Sequence, residues 1–173
     1  MNIKYKYALF LILLWGISLS SFTQGNEKKT VNPYTFVKSD NKYIVNVNDN
    51  SDLITVLSQF CIDQKIKSGT LSGIGMAKEA TLRYINPDDK KYTDKSIYEQ
   101  IAIGNLTGSI SECNGKIYLH IHATVNRGDY KVEAGHLVSA IVNGTVECTI
   151  EELDITLDRR FCPDKGVDIS SSK

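Results

Sequence analysis

Apolar residues recur at helical spacing in one segment of the chain. Leu53, Val56, Leu57, Phe60 and Cys61 lie three or four positions apart and share one face of a helix. The preceding string Asp49–Ser51 consists of residues that cap helix N-termini, because their side-chain oxygens accept from free backbone amides. The pattern predicts one amphipathic helix that ends near Lys65–Gly69.

Elsewhere the apolar residues alternate with polar ones, which is the period of a half-buried strand. The clearest example is Lys116–Val125, introduced by the Asn114–Gly115 pair that is typical of a two-residue hairpin turn. Other strands are predicted in the same way, and a polar loop is expected at Asn86–Ser96. With one main helix and about seven strands, the sequence predicts an α+β fold with a largely antiparallel sheet. Besides Lys116–Val125, the predicted strands include Lys42–Val47, Thr70–Gly75, Glu79–Ile85, Leu137–Val142 and Thr145–Ile150.

The N-terminal residues 1–23 have the order of a secretory signal peptide. Lys4 and Lys6 precede an apolar run, Ala8–Leu19, which is followed by small polar residues. The run is shorter than the roughly 20 residues that span a bilayer, so we expect cleavage and export to the periplasm or the medium, with no transmembrane segment in the mature chain. An uncleaved anchor is the alternative. The mature chain then divides into a flexible leader at 24–41, one domain at 42–162 and a polar tail at 163–173.

The charge and the cysteine content of the chain exclude few classes of function. The chain has 20 basic and 20 acidic residues, and removing residues 1–23 leaves 18 basic and 20 acidic, a net charge of −2. Binding to DNA needs clustered cations that displace counterions, so DNA is not an expected partner. The cysteines, at 61, 113, 148 and 162, allow three disulfide pairings, but Cys61 and Cys148 fall on apolar faces and are expected to be buried free thiols.

The three histidines of the chain provide its candidate chemistry. His120 and His122 are two residues apart on a predicted strand, so both imidazoles project from the same side. A turn at Asn126–Asp129 reverses the chain, and His136 lies on the returning segment. Three neutral imidazoles suit zinc and leave a fourth position for water or a ligand. Glu99 and Glu133 are the candidate acids for outer partners of the histidines or for proton acceptors.

The order of these motifs resembles the PPC (plants and prokaryotes conserved) domain family, whose plant members are fused to AT-hooks. The resemblance is carried by Leu106–Ile110, by Leu119–Ala123 with its two histidines, and by Gly135–Leu137. It implies a compact antiparallel sheet with a packed helix, a homotrimer, and His120, His122 and His136 as the family histidines. It also implies a DNA-binding label, although the chain has no Arg-Gly-Arg hook.

Several functions remain open at this point. The first is an exported homotrimer that binds a divalent metal, zinc above all, or an unidentified small ligand through the three histidines. The second is a zinc-dependent enzyme of hydrolytic or lyase type, for which no Gly-x-Ser-x-Gly or comparable nucleophile motif is visible. The third is a DNA-binding protein, and the fourth is a trimer whose histidines have a structural role.

Overall fold

The computed structural model describes residues 32–163 and 165–172, and within them one helix, α1 (Leu53–Gln64). The helix begins at the N-cap Asp52, whose Oδ1 accepts from the Thr55 amide at 2.8 Å. It ends where Lys65 adopts a left-handed conformation with φ 61° and its amide donates to carbonyls of the last turn. The predicted helix is confirmed, and its cap lies one residue beyond the predicted capping string.

Nine strands accompany the helix in the described residues, rather than about seven. Two pairs of predicted strands are each one continuous strand, since the residues between them bulge without ending the pairing; the register shifts between Gly75 and Glu79 are one example. The predicted loop at Asn86–Ser96 contains part of a further strand, because its polar residues pair along an edge. The strands are β1 (Tyr34–Ser39), β2 (Lys42–Asn48), β3 (Gly69–Ile85), β4 (Tyr92–Ile97), β5 (Ile101–Cys113), β6 (Lys116–Asn126), β7 (Val132–Glu152), β8 (Leu157–Cys162) and β9 (Val167–Ser172).

The strands form one sheet in the order β1-β2-β7-β3-β5-β8-β9, with β4 added to β3. Strand β6 pairs with both β5 and β7, and β3 also pairs with both. The four strands β3, β5, β6 and β7 therefore form a closed ring of pairings. All pairings are antiparallel except a short parallel one between β5 and β8 at Glu112 and Asp158. The predicted hairpin at Asn114–Gly115 joins β5 to β6, and both residues have positive φ, 53° and 74°.

Both ends of the predicted domain extend further than expected. Strand β1 lies inside the predicted flexible leader 24–41, and it is ordered because Tyr34 and Phe36 pack edge-on against Phe60 of the helix. Strand β9 lies inside the predicted polar tail 163–173, where it pairs with β8 along its whole length. The described residues belong to one compact unit. The predicted signal peptide, residues 1–23, lies outside the described residues.

The main core forms where α1 covers one face of the sheet. Alternate residues of β2 and β7 point under the helix, and all of them are buried, as the alternation predicted. Cys61 and Cys148 are buried free thiols, and burial raises the pKa of each to about 12, so neither is a reactive thiolate at neutral pH. In the described residues, no helix is long and apolar enough to cross a membrane. The buried residues of the two strands are Tyr43, Val45, Val47, Val146, Cys148 and Ile150.

Candidate metal centre

Strand β6 separates the core from the candidate site by its alternation. Ile121, Ala123 and Val125 are buried on the apolar face, whereas His120 and His122 project from the opposite face. This division is what the sequence pattern predicted, because successive side chains of a strand point to opposite sides.

The third histidine reaches the pair through the register of two strands. His136 of β7 lies directly opposite His122 of β6 in the antiparallel ladder. The short connection between the strands is held by bonds from the Arg127 amide to the Lys131 carbonyl at 3.1 Å and from the Tyr130 amide to the Arg127 carbonyl at 2.9 Å. The hairpin therefore sets the register that brings His136 to the site.

The three imidazoles form a tight group. One nitrogen from each ring can be chosen so that all three atoms lie within 4.8 Å of one another, and the ring centroids are 5.2–5.8 Å apart. Zinc holds imidazole nitrogens at about 2.0–2.1 Å in a tetrahedral arrangement, so two ligand atoms on one ion lie about 3.4 Å apart. The rings would have to rotate toward one another to reach that spacing. The donor set of three imidazoles fits zinc.

Burial keeps two of the rings neutral. Burial, together with repulsion from the nearby Arg159 guanidinium and the other two histidines, lowers the pKa of His120 to about 4. Burial also lowers the pKa of His136, with added repulsion from His122, Arg83 and Arg159 that the Asp94 carboxylate partly opposes. Neutral imidazole is the form that coordinates a metal, so at pH 7 these rings are in the required state.

The histidines open into a cavity of about 430 Å³ with mixed walls. Two arginines line it, Arg83 from β3 and Arg159 from β8. Aromatic and aliphatic side chains complete the walls, among them Tyr92, Tyr118 and Val167. A space of this size accommodates a small molecule.

The two arginines of the cavity have different partners. Arg83 makes a bidentate ion pair with Asp94, from Nε to Oδ1 at 2.6 Å and from Nη2 to Oδ2 at 2.7 Å. Arg159 instead donates from Nη2 to Nδ1 of His120, at 2.9 Å. Its Nε donates to the Ser111 hydroxyl at 3.1 Å. The guanidinium of Arg159 therefore hydrogen-bonds a candidate metal ligand, whereas that of Arg83 is held by a carboxylate.

The two acids proposed from the sequence belong to a different network. Glu99 pairs with Arg127, and Glu133 pairs with Lys95 at 2.6 Å and with Arg127 at 3.5 Å. Glu133 lies three residues before His136 on the same strand, so their side chains point to opposite faces of the sheet. In the ladder, Glu133 pairs with Val125 of the apolar face. The structure thus places both carboxylates in ion pairs outside the histidine group.

Sequence reasoning missed the charged residues that do surround the histidines. Asp94 lies in a segment predicted as a loop, and Arg83 meets His136 only through the β3–β7 register. Arg159 lies beyond the last predicted strand, on β8. The only sequence signal for these residues was the alternation of β3, which assigned Arg83 to one face of the strand. It did not indicate which residues lie next to that face.

Comparisons with known proteins agree with this fold. A family model described as the Plants and Prokaryotes Conserved (PCC) domain, the family abbreviated PPC above, matches residues 34–154. The chain is 45% identical to a "putative dna binding protein" of Bacteroides thetaiotaomicron, with a TM-score of 0.78 over 81% of this chain and 98% of that one. It is 26% identical to a metal-containing protein from Archaeoglobus fulgidus, with a TM-score of 0.71 over 79% of this chain and 96% of that one.

A third solved structure shares the fold at lower identity. A plant- and prokaryote-conserved (PPC) protein of Pyrococcus horikoshii is 22% identical, with a TM-score of 0.70 over 80% of this chain and 94% of that one. No curated protein sequence matches the chain.

Proposed function

This chain belongs to the Plants and Prokaryotes Conserved domain family, and on that premise we propose that it binds one divalent metal ion, zinc, through His120, His122 and His136. The observation that carries the proposal is the convergence of the three imidazoles, with nitrogens within 4.8 Å of one another. The neutral state of the buried rings supports it, as does the description of the Archaeoglobus fulgidus relative as metal-containing.

A three-histidine site leaves one coordination position for an exchangeable partner. When bound, zinc supplies a Lewis acid that polarises a ligand oxygen and lowers the pKa of a bound water to about 7. The residues of this chain would hold the ion at the cavity wall, and Tyr118 and Val167 would limit access of water to it. The site therefore suits binding of a small ligand next to the metal.

Metal analysis tests the proposal directly. We expect the purified protein to contain about one zinc per chain, or to take up one equivalent after chelator treatment. Elemental analysis and calorimetric titration measure this, with magnesium as the control ion, because magnesium prefers oxygen ligands to imidazole. Failure to bind zinc more tightly than magnesium would contradict the proposal.

Export and assembly form part of the same proposal. The basic, apolar and small-residue order of residues 1–23 supports cleavage near Gln24, and the family resemblance supports a homotrimer. Exposed apolar side chains on the described strands, such as Ile74 and Met76, are consistent with a subunit interface. Intact mass of the exported form and light scattering of the purified protein measure the two properties. A chain that retains Met1, or a monomer at micromolar concentration, would count against them.

DNA binding is the second candidate, favoured by the description of the Bacteroides thetaiotaomicron relative. The charge of this chain argues against it, because the formal net charge is zero and several positive side chains pair with acids, as Arg83, Arg127 and Lys95 do. We expect no submicromolar, salt-sensitive affinity for duplex DNA in a mobility-shift assay. Such an affinity would favour the second candidate over the first.

A further inference from the structure

Arg159 is buried, and its four hydrogen bonds to the described residues are all with neutral acceptors. The residue is 7% exposed. Its Nη1 donates to the Asp168 backbone carbonyl at 3.1 Å, and its Nη2 donates to the Ser109 hydroxyl at 3.1 Å as well as to His120. Together with the bond from Nε to Ser111, these use four of its five N–H groups, and none of the four acceptors is a carboxylate. Asp168 lines the same cavity, and its hydrogen bond with Arg159 is made by its main-chain carbonyl.

The bond to His120 has a consequence for metal binding. Arginine remains protonated and can only donate, so Nδ1 of His120 is the acceptor and, in the neutral ring, the hydrogen lies on Nε2. A metal that uses Nδ1 would have to displace Arg159. A metal that uses Nε2 would require the hydrogen on Nδ1, where it would face the N–H of Arg159. In both cases Arg159 must give up its bond to His120.

The released guanidinium is well placed to hold an anion. It would have free N–H groups at the wall of the cavity, and a planar guanidinium matches the two oxygens of a carboxylate. Arg83 attracts an added anion less strongly, because Asp94 already balances its charge in a bidentate ion pair. Arg159 also lies outside the range 34–154 that the family model matches, so this feature is not part of that match.

We propose that Arg159 competes with the metal for His120, and that a small carboxylate ligand binds the site together with the metal by pairing with the released guanidinium. This inference rests on the proposed three-histidine metal site. Because coupling between two ligands is reciprocal, the carboxylate tightens metal binding by the same factor as the metal tightens carboxylate binding.

Zinc titrations of the full chain with acetate as the probe test the inference. We expect acetate to increase the zinc affinity of the wild type when it replaces chloride at constant ionic strength. Acetate in solution binds zinc weakly, so without a role for the protein it would lower the apparent affinity. In Arg159→Gln, we expect zinc to bind about tenfold more tightly without acetate, since one charge-assisted hydrogen bond no longer competes. The acetate effect should be lost in this variant.

Arg160→Gln is the matched control, because it removes the same charge from the neighbouring, exposed position of β8. It should behave as the wild type. Equal zinc affinity in wild type and Arg159→Gln, or no increase with acetate in the wild type, would overturn this inference and leave the metal site standing. The wild-type measurement holds even if Arg159→Gln fails to fold. No zinc binding by any folded variant would overturn the metal site, and this inference with it.

Discussion

Replacing His122 by alanine should abolish zinc binding while leaving the fold intact. His122 lies opposite His136 in the ladder and two residues from His120, so its loss leaves two ligands where three are needed. Removing an outer partner of a metal ligand already costs about 10–100-fold in affinity, and removing a ligand itself should cost more. Calorimetric titration of the variant with zinc measures the effect.

The free energy of unfolding should change little in the same variant, measured without metal. The His122 side chain is exposed, whereas the neighbouring Ile121 and Ala123 hold the core on the other face. We expect a change within about 0.5 kcal/mol, as for other exposed positions. Thr124→Ala is the matched control, since Thr124 is on the same face of β6 and should retain zinc. Unchanged zinc affinity in His122→Ala would rule out a three-histidine site.

Replacing Phe60 by alanine should have the largest effect on stability. Phe60 is fully buried on α1, and its ring makes edge-on contacts with Tyr34, Phe36 and Tyr43 at centroid distances of 5.2–5.5 Å. Truncation of a buried phenylalanine costs about 3–5 kcal/mol, through lost transfer free energy and the remaining cavity. This is a large part of the 5–15 kcal/mol that typically stabilises a domain. Urea denaturation followed by circular dichroism measures the loss.

The control for this prediction lies on the same helix. Ile62 is 55% exposed, so Ile62→Ala should cost much less than Phe60→Ala. The comparison also tests the role of β1, because Tyr34 and Phe36 contact the phenylalanine ring and belong to the segment that the sequence predicted to be a flexible leader. Similar costs for the two variants would mean that β1 and the helix do not form a packed core.

The sequence alone was sufficient for features that depend on local periodicity. Helix α1 was predicted from the spacing of Leu53 to Cys61, and the two faces of β6 were predicted from its alternation. The shared side of His120 and His122 followed from the same rule. These predictions hold because the faces of a helix or strand are set by backbone geometry over a few residues.

The extent of the strands depended on pairing between distant residues. Strand β4 has mostly polar residues and forms because it pairs with β3, and β9 forms because it pairs with β8. Strand β1 was not predicted because it is ordered by packing against Phe60, which lies more than 20 residues away in the chain. Pairing and packing partners of this kind leave no periodic signal in the strand's own sequence.

The site shows the same division between local and tertiary information. All three histidines were identified as candidate ligands from composition and spacing, and the predicted turn indicated that His136 returns toward the other two. Only the ladder between β6 and β7 shows that His136 lies opposite His122. The charges around them were decided entirely by tertiary structure. Arg159 meets His120 across 39 residues, and Glu99 and Glu133 pair with basic residues elsewhere. Residue types and local spacing thus determine which side chains could bind a metal, whereas strand register determines which charges surround them, because it brings together residues far apart in the chain.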